Sequence, residues 1–272
     1  MESGEGRVVY RHSAAARAAH WLWFVAILVL VTSGLQIFNA APYLDASDKS
    51  DPAKRVLAFT EDYGPRGPVG VTTIFGHSFT TTGWLGYTDD GQGAQTARAF
   101  PGWITLPNYQ DLADGRRWHL FFAWALIVAL VAYGISGALR GDFKEMIVRP
   151  SDFPKMLPMQ LYYLKLRRDP PPHGKYNPLQ KATYTLVLFA LIPLMVITGL
   201  ALSPGIDAIA QPLTALLGGR QFARLWHFTI MVLLIGYFGV HMFFGATTRP
   251  YENVKSMITG RYRLGKHDGV GP

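Results

Sequence analysis

The sequence predicts an all-α membrane protein: a bundle of four transmembrane helices, with both termini cytoplasmic and a long extracytoplasmic loop between helices one and two. Three observations carry that prediction. The apolar residues collect in four runs, 21–38, 120–139, 184–202 and 225–244, and none of these holds Lys, Arg, Asp or Glu. Each run approaches the ~20 residues that a helix needs to cross a hydrocarbon core about 30 Å thick. Basic residues are spread unevenly over the segments between the runs, and the segment 39–117 has little helical periodicity.

Taken in chain order, the N-terminal tail carries Arg7, Arg11 and Arg17 ahead of a first span at about 18–38. Basic residues before an apolar run suit a signal peptide, but this run exceeds the ~7–15 residues of a signal core, so it is read as a retained first helix. The loop 39–117 follows. It is rich in Gly, Thr, Pro and aromatics, and Trp84, Tyr87, Trp103 and Tyr109 argue against simple disorder. A loop this long usually has a job. It covers the membrane mouth, docks a partner, or forms an ordered but passive cap.

The second span, at about 118–139, leads into a connection with nine basic residues: Arg140, Lys144, Arg149, Lys155, Lys165, Arg167, Arg168, Lys175 and Lys181. Within it, FPKMLPMQLYYLKLRRDPPP reads as a short amphipathic surface helix ended by three prolines. The third span, at about 182–202, contains Pro193, which a transmembrane helix tolerates where neighbours satisfy the freed carbonyl. Only Arg220 and Arg224 occupy the short connection to the fourth span, at about 223–244, and the C-terminal tail carries Arg249, Lys255, Arg261, Arg263 and Lys266. Cytoplasmic segments carry the excess of Lys and Arg, which puts both tails and the second connection in the cytoplasm.

The chain has 272 residues, 49% hydrophobic and 16% charged, with a formal net charge of +8. That charge lies beside the spans, where topology uses it, so it implies no nucleic-acid partner. The chain contains no cysteine, which excludes disulfides, Cys-ligated iron–sulfur clusters and covalent c-type haem attachment.

Eight histidines divide by position. His12, His77, His173 and His267 lie outside the spans, whereas His20, His119, His227 and His241 lie within or at the edge of them. A single histidine at a span edge is more often a packing residue than a ligand. Four in a consistent arrangement differ, because ionisable groups at membrane depth are costly and mark function. The alternation of span direction places His20 and His241 near the cytoplasmic face, and His119 and His227 near the outer face. His227 and His241 are 14 residues apart. That spacing is about 21 Å of helix and just under four turns, so both leave one face of the fourth span.

Two facing histidine pairs suit bis-His ligation of two b haems, which fills both axial positions and favours electron transfer over oxygen binding. A metal centre needs three or four ligands in one cluster, and a proton relay needs carboxylates inside the spans. Arg116, Arg117 and Arg224 flank the outer pair and Arg17 and Arg249 the inner one, as partners for haem propionates or as snorkelling boundary residues. Ser33-Gly34, Ser136-Gly137 and Thr198-Gly199, with Gly236 and Gly239, either pack helices closely or clear space for macrocycles. Asn177 and Gln180, three residues apart at the entry to span three, could offer hydrogen bonds to a quinone carbonyl or form a polar helix start.

RHSAAARAAHWLW, FPGWITLPNYQDLADGRRWHLFFAW, KYNPLQKATY, LVLFALIPLMVITGLALSPG, GGRQFARLWHF and MITGRYR together resemble the bacterial cytochrome b561 and nickel-hydrogenase cytochrome b superfamily. Within it they are most similar to the group of thiosulfate reductase cytochrome b subunits. The resemblance implies a four-helix bundle with two b haems held by His20, His119, His227 and His241, exchanging electrons with the membrane quinone pool. Related formate dehydrogenase gamma subunits place a quinone near the cytoplasmic haem through a K-Y-N-x-x-Q-K motif, which falls on Asn177 and Gln180. Leu179 stands here where those relatives have glycine. The resemblance also implies an extracytoplasmic redox partner, a molybdopterin oxidoreductase, docked on the long loop, and a bacterial inner-membrane location. Two other functions are compatible with the residues. One is a self-contained quinone oxidoreductase fed by a diffusible species such as superoxide; the other is a haem-free membrane anchor.

Overall fold

The computed structural model describes residues 6–141, 143–174, 176–247 and 249–264; Lys175, Lys266 and His267 lie outside the described residues. Among these residues, four helices are long and apolar enough to cross a membrane: Ala14–Phe38, Leu112–Arg140, Pro178–Leu202 and Arg220–Thr247. Their starts are encoded locally. The Ser13 hydroxyl accepts the Ala16 N–H at 3.2 Å, and the Asp111 carboxylate accepts the Asp114 N–H at 2.9 Å. Such caps satisfy orphan donors of the first turn. The second helix stops at Arg140, where Gly141 takes a positive φ of 74°.

The third span is not uniform. Residues Val187–Leu191 form a π-helical turn, and the Ile192 N–H reaches back to the Val187 carbonyl. Pro193 follows at once. A single π turn is a local insertion that frees the helix from the bond a proline cannot make.

The chain forms two compact units. One comprises residues 1–21, 130–194 and 232–272. In it the N-terminal strand β1 (Val8–Tyr10) pairs antiparallel with Arg261–Arg263 of the C-terminal tail, with Val9 opposite Tyr262. A surface helix, Phe153–Tyr163, lies in this unit, but it does not run on to the prolines at 170–172. It ends earlier, at a left-handed Lys165 with φ 60°. Lys165 N–H bonds to the Tyr162 carbonyl and Leu166 N–H to the Leu161 carbonyl. That crossed pair of bonds is a Schellman turn, which terminates a helix without proline.

The other unit comprises residues 22–129 and 195–231. It holds the largest departure from an all-helical chain. The connection after the first span folds into a four-stranded antiparallel meander, β2 (Tyr43–Asp45), β3 (Arg55–Gly64), β4 (Gly67–Ile74) and β5 (His77–Thr80), and a hairpin of β6 (Gly86–Asp89) and β7 (Gln95–Arg98). The all-α prediction therefore describes the spans and not this segment. The physical reason lies in its turns. Phe75 and Gly76 both have positive φ, 47° and 81°, between the paired residues Ile74 and His77. Two left-handed residues in a two-residue loop form a type I′ turn, whose twist matches that of paired strands.

The meander is fastened to the first span. Leu35 and Phe38 of that helix join Leu44, Phe59, Ala99 and Phe100 in one buried cluster, with Phe228 of the fourth span packed against it. Phe38 and Phe228 rings lie 5.0 Å apart. Asn39 clasps the Phe100 backbone, accepting its N–H at 2.8 Å and donating to its carbonyl at 3.3 Å. Arg98, 3% exposed, donates to Gln36, Thr105 and the carbonyls of Asp90 and Asn108. Asp45 is fully buried at a bulge in β2 and receives Arg55 Nε at 2.9 Å, the Ser50 hydroxyl and the Asp51 N–H. Burial raises the pKa of its carboxyl, but these bonds outweigh that effect and hold it below the usual carboxylate range.

Candidate haem-ligand sites

Each compact unit brings together one of the two expected histidine pairs. In one, His119 of the second span faces His227 of the fourth, with ring centres 6.3 Å apart and planes at 66°. In the other, His20 of the first span faces His241 of the fourth, with centres 6.2 Å apart and planes at 51°. Both distances can be tested against ligand geometry. A metal–imidazole bond is about 2.0 Å and the ring centre lies roughly 1.2 Å behind the bonded nitrogen, so two imidazoles sharing one ion have centres about 6.4 Å apart. Two rings joined by a direct hydrogen bond of ~2.9 Å would close to about 5.3 Å. Both pairs have the wider spacing and fit a shared iron. Among the described residues, no three His, Asp or Glu side chains gather as a metal cluster.

The surroundings of the two pairs differ. His119 Nδ1 lies 3.1 Å from the Ser33 hydroxyl and 3.1 Å from the Leu30 carbonyl. His227 Nδ1 lies 2.9 Å from the Thr198 hydroxyl. Ser33 and Thr198 are 0% and 1% exposed. The glycine after each hydroxyl lies against the same ring. A Cβ added at Gly34 would meet His119 Cε1 at 3.3 Å, and one at Gly199 would meet His227 Cε1 at 3.3 Å. In the other pair, His20 Nδ1 is buried and has no hydrogen-bond partner among the described residues. His20 packs edge-on to Trp21, whose Nε1 donates to the Met257 carbonyl at 3.0 Å, and Tyr237 lies 6.0 Å from His241. Trp118 and Trp226 immediately precede His119 and His227 and are about half exposed, as indoles at a membrane–water boundary are.

The other candidate residues are placed less simply. Arg116 is exposed, and Arg117 is exposed and paired with Asp114 at 2.8 Å. Arg224 donates to the carbonyls of Ala41 and Tyr43, so it fastens the loop to the fourth span. Arg17 donates to the Ile258 carbonyl. Asn177 and Gln180 form a reciprocal capping box at the start of the third span. Asn177 accepts the Gln180 N–H at 2.9 Å, Gln180 Oε1 accepts the Asn177 N–H at 3.1 Å, and Asn177 Nδ2 donates to the Tyr163 hydroxyl at 2.9 Å. Asn177 has an extended backbone, with φ −75° and ψ 163°, and is thus the cap itself, not a residue on the helix face. Lys181 pairs with Asp152 at 3.2 Å. The Arg149 N–H, opposed by burial and supported by Lys181, holds the Asp152 carboxyl below its usual range.

The Ser-Gly and Thr-Gly dipeptides, expected to pack helices closely or to clear space for macrocycles, have a specific place. The structure puts Ser33-Gly34 and Thr198-Gly199 on the histidine rings, while Gly137 lies against Phe143. Gly236 and Gly239 face open space. Gly236 lies nine residues from His227, about 180° round the helix, and so does not clear the histidine face.

Comparison with known families decides the identity of this arrangement. The family described as prokaryotic cytochrome b561 matches residues 11–260. The chain belongs to that family. It is a multi-pass membrane cytochrome b, and its function is electron transfer with haem b. Among relatives of this cytochrome b561 chain is the Azospira oryzae protein named "Putative protein-methionine-sulfoxide reductase subunit YedZ1", 28% identical over 236 residues, 85% of this chain and 87% of that one. Another is the Escherichia coli "Putative cytochrome YdhU", 33% identical over 92 residues, 33% of each chain.

Proposed function

We propose that this cytochrome b561 protein carries electrons across the bacterial inner membrane through two b haems, between an extracytoplasmic redox partner and the quinone pool. His119 and His227 hold the outer haem, and His20 and His241 the inner one. The observation that carries this reading is the pair of ring separations, 6.3 and 6.2 Å, each matching two imidazoles on one iron. When bound, haem supplies one-electron redox chemistry. The protein contributes the ligands, their orientation and an apolar surround.

The positions of the basic residues support cytoplasmic termini, and the strand pairing of the two tails puts them together. The loop 39–117 is the docking surface. The loop is ordered by Arg98, Asn39 and the aromatic cluster, yet it leaves Phe75, Phe79, Trp84 and Trp103 more than half exposed. Aromatic residues of that kind anchor protein interfaces. The partner class is an oxidoreductase subunit, as the name of the Azospira relative suggests for that protein, and a molybdopterin enzyme fits it. At the quinone site, Asn177 shapes the helix start and Gln180, whose Nε2 is not used by the cap, offers the donor.

Quinol-driven haem reduction in proteoliposomes tests this reading. Reduction should be fast in the native chain and slowed about tenfold or more in Gln180→Ala, with the haem spectrum unchanged. Quinol that fails to reduce either haem contradicts it.

A further inference from the structure

We propose that Ser33-Gly34 and Thr198-Gly199 are two equivalent clamps that fix the tautomer of His119 and His227 and set the potential of the haem between them. The proposal rests on the ligand assignment above. It begins with proton accounting. Ser33 donates its hydroxyl proton to the Val29 carbonyl at 2.6 Å, and Thr198 donates to the Met195 carbonyl at 3.1 Å. A hydroxyl has one proton to give. With that proton used along its own helix, each oxygen can only accept from the ring. The Leu30 carbonyl, 3.1 Å from His119 Nδ1, can also only accept. The ring proton therefore sits on Nδ1, and Nε2 keeps its lone pair for iron. Donation from Nδ1 raises the basicity of a ligating imidazole and fixes its plane.

The glycines complete the clamp. Each lets the ring lie against the helix backbone, where even a methyl group would press on Cε1 from 3.3 Å. One clamp acts from the first span and the other from the third, on opposite ligands of one pair.

The sequence carries an independent trace of this equivalence. Val31, Ser33, Gly34 and Leu35 are matched 165 residues on by Val196, Thr198, Gly199 and Leu200. Nearer the helix starts, Ser13, Arg17 and His20 align with Asn177, Lys181 and Tyr184, but at an offset of 164 residues. The one-residue difference falls between these blocks, and the π turn Val187–Leu191 lies there. A π turn is a single-residue insertion in an α-helix. The first and third spans are thus one pattern, and the insertion restores the register of the clamp. Likewise Trp118-His119 recurs as Trp226-His227, 108 residues on. Where the first span has His20, the third has Tyr184, so the pattern keeps the clamp twice while giving only the first span a ligand.

Redox titration of the haem α-bands in the purified full chain tests this. In the double variant Ser33→Ala/Thr198→Val, haem content should stay at the native value. The potential of one haem should shift upward, because a less basic ligand favours ferrous iron, and the other haem should hold its value. The hydroxyl-retaining variant Ser33→Thr/Thr198→Ser should return the potential towards native. Two haems retained with neither potential moved would overturn the clamp and leave the ligand assignment standing. Haem lost from both double variants alike would also overturn it, since the hydroxyl would not then be the cause. Haem lost only from the hydroxyl-free variant would also overturn it, since the clamp would then govern occupancy and not potential. A native chain without two haems refutes the ligand assignment, and the clamp with it.

Discussion

Arg98 and Asp45 show what single residues do in the β-structured connection. Arg98 places a buried guanidinium among four acceptors, two of them backbone carbonyls and one the side chain of Gln36 on the first span. Burial lowers its pKa while Asp89 and Asp90 oppose that fall. Arg98→Ala strands those acceptors, and the cost should be roughly 3 kcal/mol. Limited proteolysis should then cut between residues 85 and 111 while the spans stay intact; an unchanged cleavage rate would show that the arginine is dispensable. Asp45 gives a pH signature. Its folded pKa is depressed, so the stability it contributes is complete above the unfolded pKa of about 3.9 and is lost as pH falls through the lower folded value. Native protein should therefore keep the meander to below pH 4, as read by near-UV circular dichroism. Asp45→Asn should lose that acid-dependent step and be less stable at pH 7.

At the scale of elements, the third span concentrates the local devices: a capping box, a π turn and a proline. Asn177→Ala removes the side-chain cap and should cost about 1 kcal/mol. Asn177→Asp keeps the acceptor for the Gln180 N–H and should recover most of it, which thermal melts in detergent will report. Equal melting of all three proteins would mean that the cap carries no weight. Four helices were legible because uncharged runs of that length have few other uses. The histidine pairs followed from span direction and from the spacing of His227 and His241. The β meander was missed for a specific reason. The segment lacks helical period, and a two-residue Phe75-Gly76 turn is a weaker signal of paired strands than Asn-Gly. The early end of the surface helix is not legible before the prolines at 170–172, because a Schellman turn centred on Lys165 has no glycine to announce it. The role of Ser33 and Thr198 was hidden because small residues in spans usually mean packing, and only the fold shows which ring each one meets.

Over the whole molecule, topology is the property most open to test. The chain has no cysteine, so a single introduced thiol reports its own side of the membrane. A thiol at Gln92, exposed in the connection after the first span, should react with an impermeant maleimide in intact cells. One at Arg167, exposed after the surface helix, should react only after lysis. The reverse pattern would invert the assignment of outer and inner haems. That assignment matters only if both haems exist, and the ligand pairs are the centre of the account. Counting haem by pyridine haemochrome in the purified chain and in His227→Ala and His241→Ala is the most direct measurement. The ligand map predicts two b haems in the native protein and one in each variant, with different residual spectra. No haem in the native chain, or two in either variant, would contradict it.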